Sequence, residues 1–431
     1  MNDTADASWY HAQSPPPAAQ PALQGTVDCD VAVVGGGIAG CSTALHLAER
    51  GYRVVLLEAE RIGHGASGRS GAQALAGVAC GQEKLERLLG ADDAHRIFEV
   101  TREGLRLQRD LIATHRIECE YVAGTMQVAT RARQDRELQR EFALLTDRYG
   151  HDSLRLMQRE EVRATIASAR YTSALYDAAG GHLQPLAYVR GLARAAMAQG
   201  ARIFEHTRAL AHARHVTASG ESALTLRTPG GEVRCRHIAL CGNAWLGDYS
   251  ATLARKIIPV GTYVVATESL GAERARALIR NDAAVSDANW VLDYFRLTRD
   301  HRLLFGGRVS YSGLENGVDG NATRVRMVRV FPQLADVAIT HAWGGWIDIT
   351  RNRAPHFGRL APDIHFLQGF SGHGIALAGI AGKLLSEAID GTQSRFDVFA
   401  KIRHHDFPGG TALRRPALVL AMLWYRLRDL L

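Results

Sequence analysis

The chain has 431 residues, of which 46% are hydrophobic and 22% are charged. These values are typical of a globular protein with a large core, and the length predicts two or three domains. The formal net charge is +7, but the basic residues are scattered and form neither a basic block nor a known nucleic-acid-binding module. We therefore expect no nucleic-acid partner.

The ends of the chain and its cysteines bear on where the protein works. The first residues carry acids and no apolar core, so they do not resemble a signal peptide, and residues 1–25 are predicted to be a flexible lead. Six scattered cysteines without a C-x-x-C pair argue against a disulfide framework or a metal site. We expect a cytoplasmic protein that binds no metal.

The only long apolar segment near an end is Pro416–Leu431. No apolar run approaches the ~20 residues that a membrane-spanning helix needs. We expect this segment to be a helix docked on the protein or on a partner subunit. A helix lying on a membrane surface is the alternative.

The residues from Asp28 to Glu58 follow the pattern of a nucleotide-binding βαβ unit. A buried strand ends at a G-x-G-x-x-G turn, a helix is predicted over 38–50, and a second strand ends at Glu58. The turn glycines permit a tight bend, close approach to a pyrophosphate, and close packing of helix on strand. Glu58 is placed to accept hydrogen bonds from ribose hydroxyls and to repel a 2′-phosphate, which disfavours NADP. The glycines are Gly35, Gly37 and Gly40.

A second glycine-rich loop separates a flavin from a nicotinamide site. The segment EAERIGHGASGRSG begins at Glu58, and such a loop is unnecessary for NAD. With CDVAVVGGGIAG and the late GFSGHG, the chain resembles the FAD-dependent D-amino-acid oxidase superfamily, which includes glycine and sarcosine oxidases. The segments LDYFRLT, GNAWLGD and FPGG are similar to the branch that oxidises gamma-glutamylputrescine.

The resemblance and the element pattern predict an α/β fold that is α+β overall. It comprises a discontinuous Rossmann-like FAD-binding domain of the glutathione-reductase type and an antiparallel-sheet substrate domain. We expect the FAD-binding domain over 26–82, 150–250 and 340–392. The substrate domain is expected over 83–149 and 251–339, and a C-terminal extension with a terminal helix over 393–431. Helices are predicted over 83–115 and 131–149, and a hairpin turn at Arg299–His301.

The resemblance also implies which residues bind FAD. They come from the first turn, the second glycine-rich loop, two strand ends and the turn before the helix at 375–389: Gly35, Gly37, Ile38, Ala39, Gly40, Glu58, Ala59, Gly65, Ala66, Ser67, Gly68, Arg69, Thr207, Gly242, Asn243, Gly345, Gly372, His373, Gly374 and Ile375. The helix dipole at residue 374 would stabilise negative charge on the reduced flavin ring.

The candidate catalytic residues are His373, Tyr294, Trp343 and Trp290. His373 is expected either to hydrogen-bond cofactor or substrate or to hold backbone carbonyls. The resemblance places the aromatics, with Tyr263, Trp346 and Asp293, on strands above the flavin, where an acid would suit a cationic amine. Packing within the sheet core is the alternative for several of them. Strand alternation puts Trp290, Leu292 and Tyr294 on one face and Asp293 on the other.

Departures from the superfamily pattern bear on the substrate. Sarcosine-type relatives place a basic residue where this chain has Ile375 and an arginine where it has Gln73 and Ala76, which makes an α-amino acid a poor fit. No cysteine occurs over 350–356, so FAD is expected to be noncovalent. Leu304 stands where some relatives have a lysine that assists reaction with oxygen.

The function implied is FAD-dependent oxidation of an amine, gamma-glutamylputrescine or a related gamma-glutamyl amine. Hydride transfer to the flavin would give an imine that hydrolyses to an aldehyde and ammonia, with reoxidation by oxygen to hydrogen peroxide. The alternative is a glycine or D-amino-acid oxidase, or a dehydrogenase with another acceptor. The sequence does not decide between a monomer and a homo-oligomer.

Overall fold

The computed structural model describes residues 8–216, 220, 222–310 and 320–408. The predicted helix at Pro416–Leu431 lies outside the described residues. The strands are β1 Gly25–Asp28, β2 Val31–Val34, β3 Val54–Leu57, β4 Gln73–Ala74, β5 Val122–Ala129, β6 Leu154–Gln158, β7 Ser173–His182, β8 Arg202–Phe204, β9 Ala211–Val216, β10 Ser222–Arg227, β11 Gly231–Cys235, β12 His237–Leu240, β13 Ile257–Thr267, β14 Ala284–Asp287, β15 Tyr294–Leu297, β16 Leu303–Ser310, β17 Ile339–Thr350, β18 His356–Ala361 and β19 Ile364–Gln368.

The helices follow the same chain order. They are α1 Trp9–Gln13, α2 Ile38–Glu49, α3 Gln82–Leu89, α4 Ala91–Thr114, α5 Ala132–Ala143, α6 Arg159–Thr165, α7 Pro185–Ala198, α8 Ala251–Ala254, α9 Gly271–Leu278, α10 Gly320–Val330, α11 Gly374–Ile389 and α12 Ser394–Ala400. Across the described ranges, no helix is long and apolar enough to cross a bilayer.

A six-stranded sheet forms the nucleotide-binding half, in the order β18-β19-β12-β2-β3-β8. Its strands from β19 to β8 are parallel, and β2 and β3 are buried along their whole length. Helices α2, α7 and α11 pack together on one face. The four-stranded sheet β1-β11-β10-β9 covers the other face. Burial on both faces explains why β2 and β3 are apolar at every position.

A nine-stranded sheet forms the second half, with the path β17-β13-β16-β15-β14-β5-β7-β4 and β6 paired to β7. Neighbouring strands are antiparallel except for β14 and β5. Helices α6, α9 and α10 pack on one face through a core that includes Phe295 and Phe305. The predicted α/β fold, with a Rossmann-like part and a largely antiparallel sheet, is confirmed, and the predicted turn at Arg299–His301 joins β15 to β16.

The sheet membership differs from the predicted domain boundaries in two places. Strands β6 and β7 and most of β17 lie in the nine-stranded sheet, although the prediction grouped 150–250 and 340–392 with the nucleotide-binding segments. The helix predicted over 83–115 is two helices that meet at Gly90, whose φ is +85°. Of these, α4 packs against α11 of the nucleotide-binding half.

Within the predicted flexible lead over 1–25, the structure describes residues 8–25, and helix α1 in this part is packed against the protein rather than loose. Trp9 and Tyr10 of α1 are 1% and 0% exposed. The Tyr10 hydroxyl donates to the Ser70 carbonyl over 2.8 Å, and the Arg296 guanidinium donates to the same hydroxyl over 3.2 Å. Composition suggested a linker because the stretch is rich in Pro and Ala, and its anchoring contacts, such as Leu23 N–H to the Thr207 hydroxyl, are made with distant residues.

Candidate active site

The turn between β2 and α2 leaves no room for side chains at its outer glycines. A Cβ at Gly40 would lie 1.9 Å from the Gly35 carbonyl oxygen, and one at Gly35, whose φ is +107°, would lie 2.8 Å from the Cys241 backbone. Gly37 is different, because its nearest neighbour would be the Ser67 hydroxyl at 2.9 Å. Gly35 and Gly40 are therefore required by the packing of the fold, while Gly37 keeps the surface of the turn open.

The second glycine-rich loop folds back onto this turn. The Ser67 hydroxyl accepts a hydrogen bond from the Ile38 N–H at the start of α2, over 3.0 Å. Glu58 accepts bonds from the N–H groups of Gly36 and Glu60 over 2.6 and 2.9 Å, and burial raises its pKa. Both side chains thus border the helix N-terminus, where a pyrophosphate and a ribose bind in folds of this kind.

A cavity of about 450 Å³ lies between the nine-stranded sheet and the nucleotide-binding loops. The sheet side consists of paired residues from β13 and β17: Ile258 opposite Ile349, Val260 opposite Ile347, and Thr262 opposite Gly345. The opposite side comes from the loop at 66–75 and from the turn that precedes α11. The cavity therefore joins the two halves of the molecule.

The structure brings some predicted aromatics to this cavity and not others. Trp290, Leu292 and Tyr294 line it together, as strand alternation predicts. Asp293 faces away, is 2% exposed, and pairs with Arg326 over 2.6 Å. The expected acid above the flavin is therefore not Asp293.

Trp343 lies behind the cavity rather than in its wall. It is fully buried, its indole N–H donates to the Arg69 carbonyl over 2.9 Å, and its ring packs edge-on against Tyr10. Tyr263 and Trp346 are also absent from the described lining. Trp343 can position Arg69. Because it lies behind the cavity wall, it is not placed to contact a bound substrate or cofactor directly, as a catalytic residue would.

Tyr294 occupies a slot between two glycines. A Cβ at Gly71 would lie 2.3 Å from the tyrosine ring, and one at Gly306 would lie 2.2 Å from it. Burial raises the pKa of Tyr294, so its hydroxyl stays protonated. The ring is thus held in one orientation at the cavity wall.

The turn before α11 presents His373 to the cavity. Burial lowers the pKa of His373 to about 4, with a further contribution from Arg353, so the imidazole is neutral at physiological pH. Its side chain makes no capping bond to α11. Of the two roles predicted for it, the geometry favours contact with bound molecules over support of backbone carbonyls.

Asp348 is a buried residue at this site that sequence reasoning missed. Its carboxylate accepts hydrogen bonds from the Gly369 N–H and the Asn243 side chain, and its carbonyl accepts from the Ser371 N–H over 3.1 Å. Burial raises its pKa to about 6. It ties β17 to the turn at Asn243 and to the loop before His373. The only sequence signal was an acid within the apolar run WIDIT.

The chain matches the model of a family described as FAD dependent oxidoreductase over residues 30–388. The chain belongs to this family. It is 39% identical to gamma-glutamylputrescine oxidoreductase of Escherichia coli K12 over 98% of both chains, and 34% identical to a probable oxidoreductase of Rhizobium meliloti over 98% of this chain and 97% of the other. The crystal structure of glycine oxidase from Geobacillus kaustophilus covers 88% of this chain and 100% of its own, with a TM-score of 0.73 and 20% identity.

Membership of the FAD-dependent oxidoreductase family confirms FAD as the cofactor, and the residues present fit it. Gly37 leaves the pyrophosphate approach open, Glu58 and Ser67 flank it, and Asn243 has a buried side-chain oxygen with no hydrogen-bond partner. Such an oxygen suits a donor group of the cofactor. Ala66, Arg69, Gly345, Gly372, His373 and Ile375 line the cavity where the flavin ring is expected.

Thr207 is placed differently from the expectation for a direct cofactor contact. Its N–H donates to the Glu58 carbonyl over 2.8 Å, and its hydroxyl bonds the Leu23 N–H and the Glu205 carbonyl. The N–H and the hydroxyl of Thr207 are therefore committed to the protein, and the residue supports Glu58. His182 is likewise structural, with its ring bonded to the Asp282 carbonyl over 2.7 Å.

Cationic side chains line the cavity in a pattern that the sequence did not reveal. Arg69, Lys84, Arg351 and Arg353 all border it, whereas its described lining includes no aspartate or glutamate. The Arg353 guanidinium lies 5.8 Å from the centre of the Trp290 ring. Burial raises the pKa of Cys80 to about 11, while nearby Lys84 and Arg353 oppose that shift. Lys84 and Arg353 therefore both lie near Cys80.

Proposed function

We propose that this FAD-dependent oxidoreductase oxidises the terminal amine of a gamma-glutamylated amine, with gamma-glutamylputrescine as the leading substrate. The observation that carries the proposal is the apolar wall at the cofactor end of the cavity. Ile375 is 6% exposed and lines the cavity beside Ile347, and Gln73 donates its amide to the Val285 carbonyl over 2.9 Å. Ile375 stands where sarcosine-type relatives have a basic residue, and the loss of that charge disfavours a small α-amino acid.

Bound FAD supplies the redox chemistry, since it accepts a hydride from the carbon that bears the amine and passes the two electrons to an acceptor, which we propose is oxygen, reduced to hydrogen peroxide. The amine nitrogen loses one proton, so the organic product is an imine. Water adds to that imine and ammonia leaves, which gives the aldehyde.

The protein's part is to bind the amine in its neutral form and hold it in place. A protonated amine lacks the lone pair that drives loss of hydride from the adjacent carbon. Isoleucine and valine side chains remove water from the amine, and Arg69 adds positive charge at the same end of the cavity. Both effects lower the pKa of an amine. The Tyr294 ring confines it, and neutral His373 offers one donor and one acceptor nitrogen.

Two further features of the proposal concern the cofactor and the compartment. We propose that FAD is held without a covalent bond, because residues 350–356 contain no cysteine. All six cysteines are free thiols, which fits the cytoplasmic placement that we propose. Acid precipitation should release the flavin into the supernatant, whereas covalently attached flavin would stay with the pellet.

The experiment that tests the function is anaerobic mixing of the purified yellow protein with gamma-glutamylputrescine, followed by admission of air. Rapid loss of the flavin absorbance and its return with hydrogen peroxide would support the proposal. Bleaching without fast recovery would keep the substrate and replace oxygen by another acceptor. Faster bleaching by glycine or D-alanine would overturn the substrate in favour of an α-amino acid.

A further inference from the structure

The oxidation proposed above does not use Lys84, Arg351 or Arg353, which border the same cavity. Strand β17 runs along the cavity from Gly345, beside Arg69, toward Arg351 just beyond its end. A strand advances roughly 3.3 Å per residue, so these positions are separated by roughly 20 Å. Arg351 is exposed, and Lys84 and Arg353 are half-buried. Arg351 thus lies at the mouth, distant from Gly345 and Arg69.

We propose that Lys84, Arg351 and Arg353 form a carboxylate-binding site that selects substrates carrying an anionic group at the end remote from the reacting amine. This inference rests on the proposed function, and it names the chemistry by which the same cavity would recognise the glutamyl end. That end carries an α-carboxylate beside an α-ammonium, and an amide and an aliphatic chain separate both groups from the reacting amine.

Three observations support a built site rather than a solvated surface. The cations come from two separate elements, α3 and the turn after β17, and converge on one cavity. The position of Arg353 is fixed by backbone conformation, with φ at +62°, and its guanidinium lies against the Trp290 ring. Lys84, Arg351 and Arg353 border the same cavity, and its described lining includes no aspartate or glutamate. A planar guanidinium and an ammonium together can bind both oxygens of a carboxylate.

The two ends of the cavity then bind different parts of the substrate. Apolar residues receive the aliphatic chain and the neutral amine, and the cations receive the anionic end. A free diamine would place an ammonium, with no carboxylate beside it, against the cations. The like charges would repel each other. The site would therefore reject putrescine itself and accept its acylated, carboxylate-bearing form.

The test compares gamma-glutamylputrescine with its α-amide, which has nearly the same shape and lacks the carboxylate charge. The FAD-loaded wild type is expected to show a KM at least about tenfold lower for the carboxylate, since one charge-assisted hydrogen bond accounts for a factor of that size. Lys84→Met and Arg351→Gln should each reduce this preference several-fold, with kcat largely retained. Arg87→Gln, on the same helix but outside the cavity lining, is the matched control.

A second measurement separates this inference from the proposed function. Gamma-glutamyl-n-butylamide lacks the reacting amine, so its binding can be followed by its effect on the flavin absorbance without turnover. Tighter binding of this ligand than of its α-amide, lost in Arg351→Gln, supports the carboxylate site even if gamma-glutamylputrescine is not the physiological substrate. Equal binding of acid and amide by the wild type, or an unchanged preference in both variants, would overturn it.

Discussion

Tyr294 illustrates how a single backbone position can control an active-site ring. The Cβ of an alanine at Gly306 would lie 2.2 Å from the tyrosine ring, so Gly306→Ala must displace the Tyr294 ring. We expect a loss of about 1–3 kcal/mol in the free energy of unfolding, as for other overpacked sites. A raised KM should accompany it. Chemical denaturation and steady-state kinetics measure the two effects.

The double variant Tyr294→Ala/Gly306→Ala provides the control, because the clash disappears when the ring is removed. Its stability should lie well above the value obtained by adding the two single effects. Gly247→Ala is the matched substitution, since its nearest neighbour would be 4.0 Å away, and it should be nearly neutral. Additive losses in the double variant would place the cost of Gly306→Ala somewhere other than Tyr294.

At the scale of an element, the loop between β14 and β15 depends on one buried carboxyl group. Asp287 is 3% exposed and accepts hydrogen bonds from the Asn289 and Asp293 N–H groups, both over 3.1 Å, and from the Asn289 amide over 2.7 Å. This loop carries Trp290 and Leu292 into the cavity. Burial raises the pKa of Asp287 to about 7, and the charge of Asp293 adds to the shift.

This raised pKa predicts how stability depends on pH. Between its ordinary value near 4 and about 7, Asp287 holds a proton in the folded protein and loses it in the unfolded chain. Stability from this group therefore falls as pH rises through that window, by up to about 1.4 kcal/mol per pH unit, and is constant above it. Urea unfolding of wild type and Asp287→Asn at pH 5, 6, 7 and 8 measures the difference in slope.

The matched control for the pH experiment is Asp152→Asn, because the Asp152 side chain is 92% exposed. It should follow the wild-type pH dependence. Parallel curves for wild type and Asp287→Asn between pH 5 and 7 would mean that Asp287 is ionised throughout, and the loop would then not be sensitive to pH.

Helix α1 is a second element whose contribution can be measured. Tyr10→Ala removes a fully buried ring that packs against Trp343 at a centroid distance of 5.2 Å, so we expect a loss of about 3–5 kcal/mol in stability. Tyr10→Phe keeps the ring and should cost about 1–2 kcal/mol, since the Ser70 carbonyl and Arg296 lose a partner. Gln13→Ala, exposed on the same helix, should change stability by less than about 0.5 kcal/mol. Equal losses for all three variants would contradict an anchoring role.

At the scale of the whole molecule, the sequence predicted what local pattern determines. The βαβ unit, helix α11 and the β15–β16 turn followed from apolar runs and glycine spacing, and the cofactor followed from the family resemblance that the glycine-rich segments carry. It missed contacts between distant segments: α1 under Trp343, Asp348 beneath the loop at 369–373, and Lys84 beside Arg353. The first and third of these contacts join residues hundreds of positions apart, the second joins residues 21 positions apart, and no local period encodes any of them. For the same reason Trp343 was expected in the cavity wall, although it lies one layer behind.

The cavity is lined by residues of both halves, and FAD binding and stability should be linked in a way that separates two roles of the glycine-rich turn. A ligand that binds only the folded state stabilises it by about 2.7 kcal/mol at a hundredfold excess over its Kd. The wild-type thermal midpoint should therefore rise with FAD concentration.

In Gly37→Ala, the new Cβ would meet only the movable Ser67 hydroxyl, so the apoprotein should stay within about 1 kcal/mol of wild type but lose the FAD-dependent rise. In Gly40→Ala, the Cβ would meet the Gly35 carbonyl, and the apoprotein itself should be destabilised. Calorimetry of the three proteins with and without FAD decides, and a Gly37→Ala protein that retains the full rise would show that the pyrophosphate does not approach the turn at this residue.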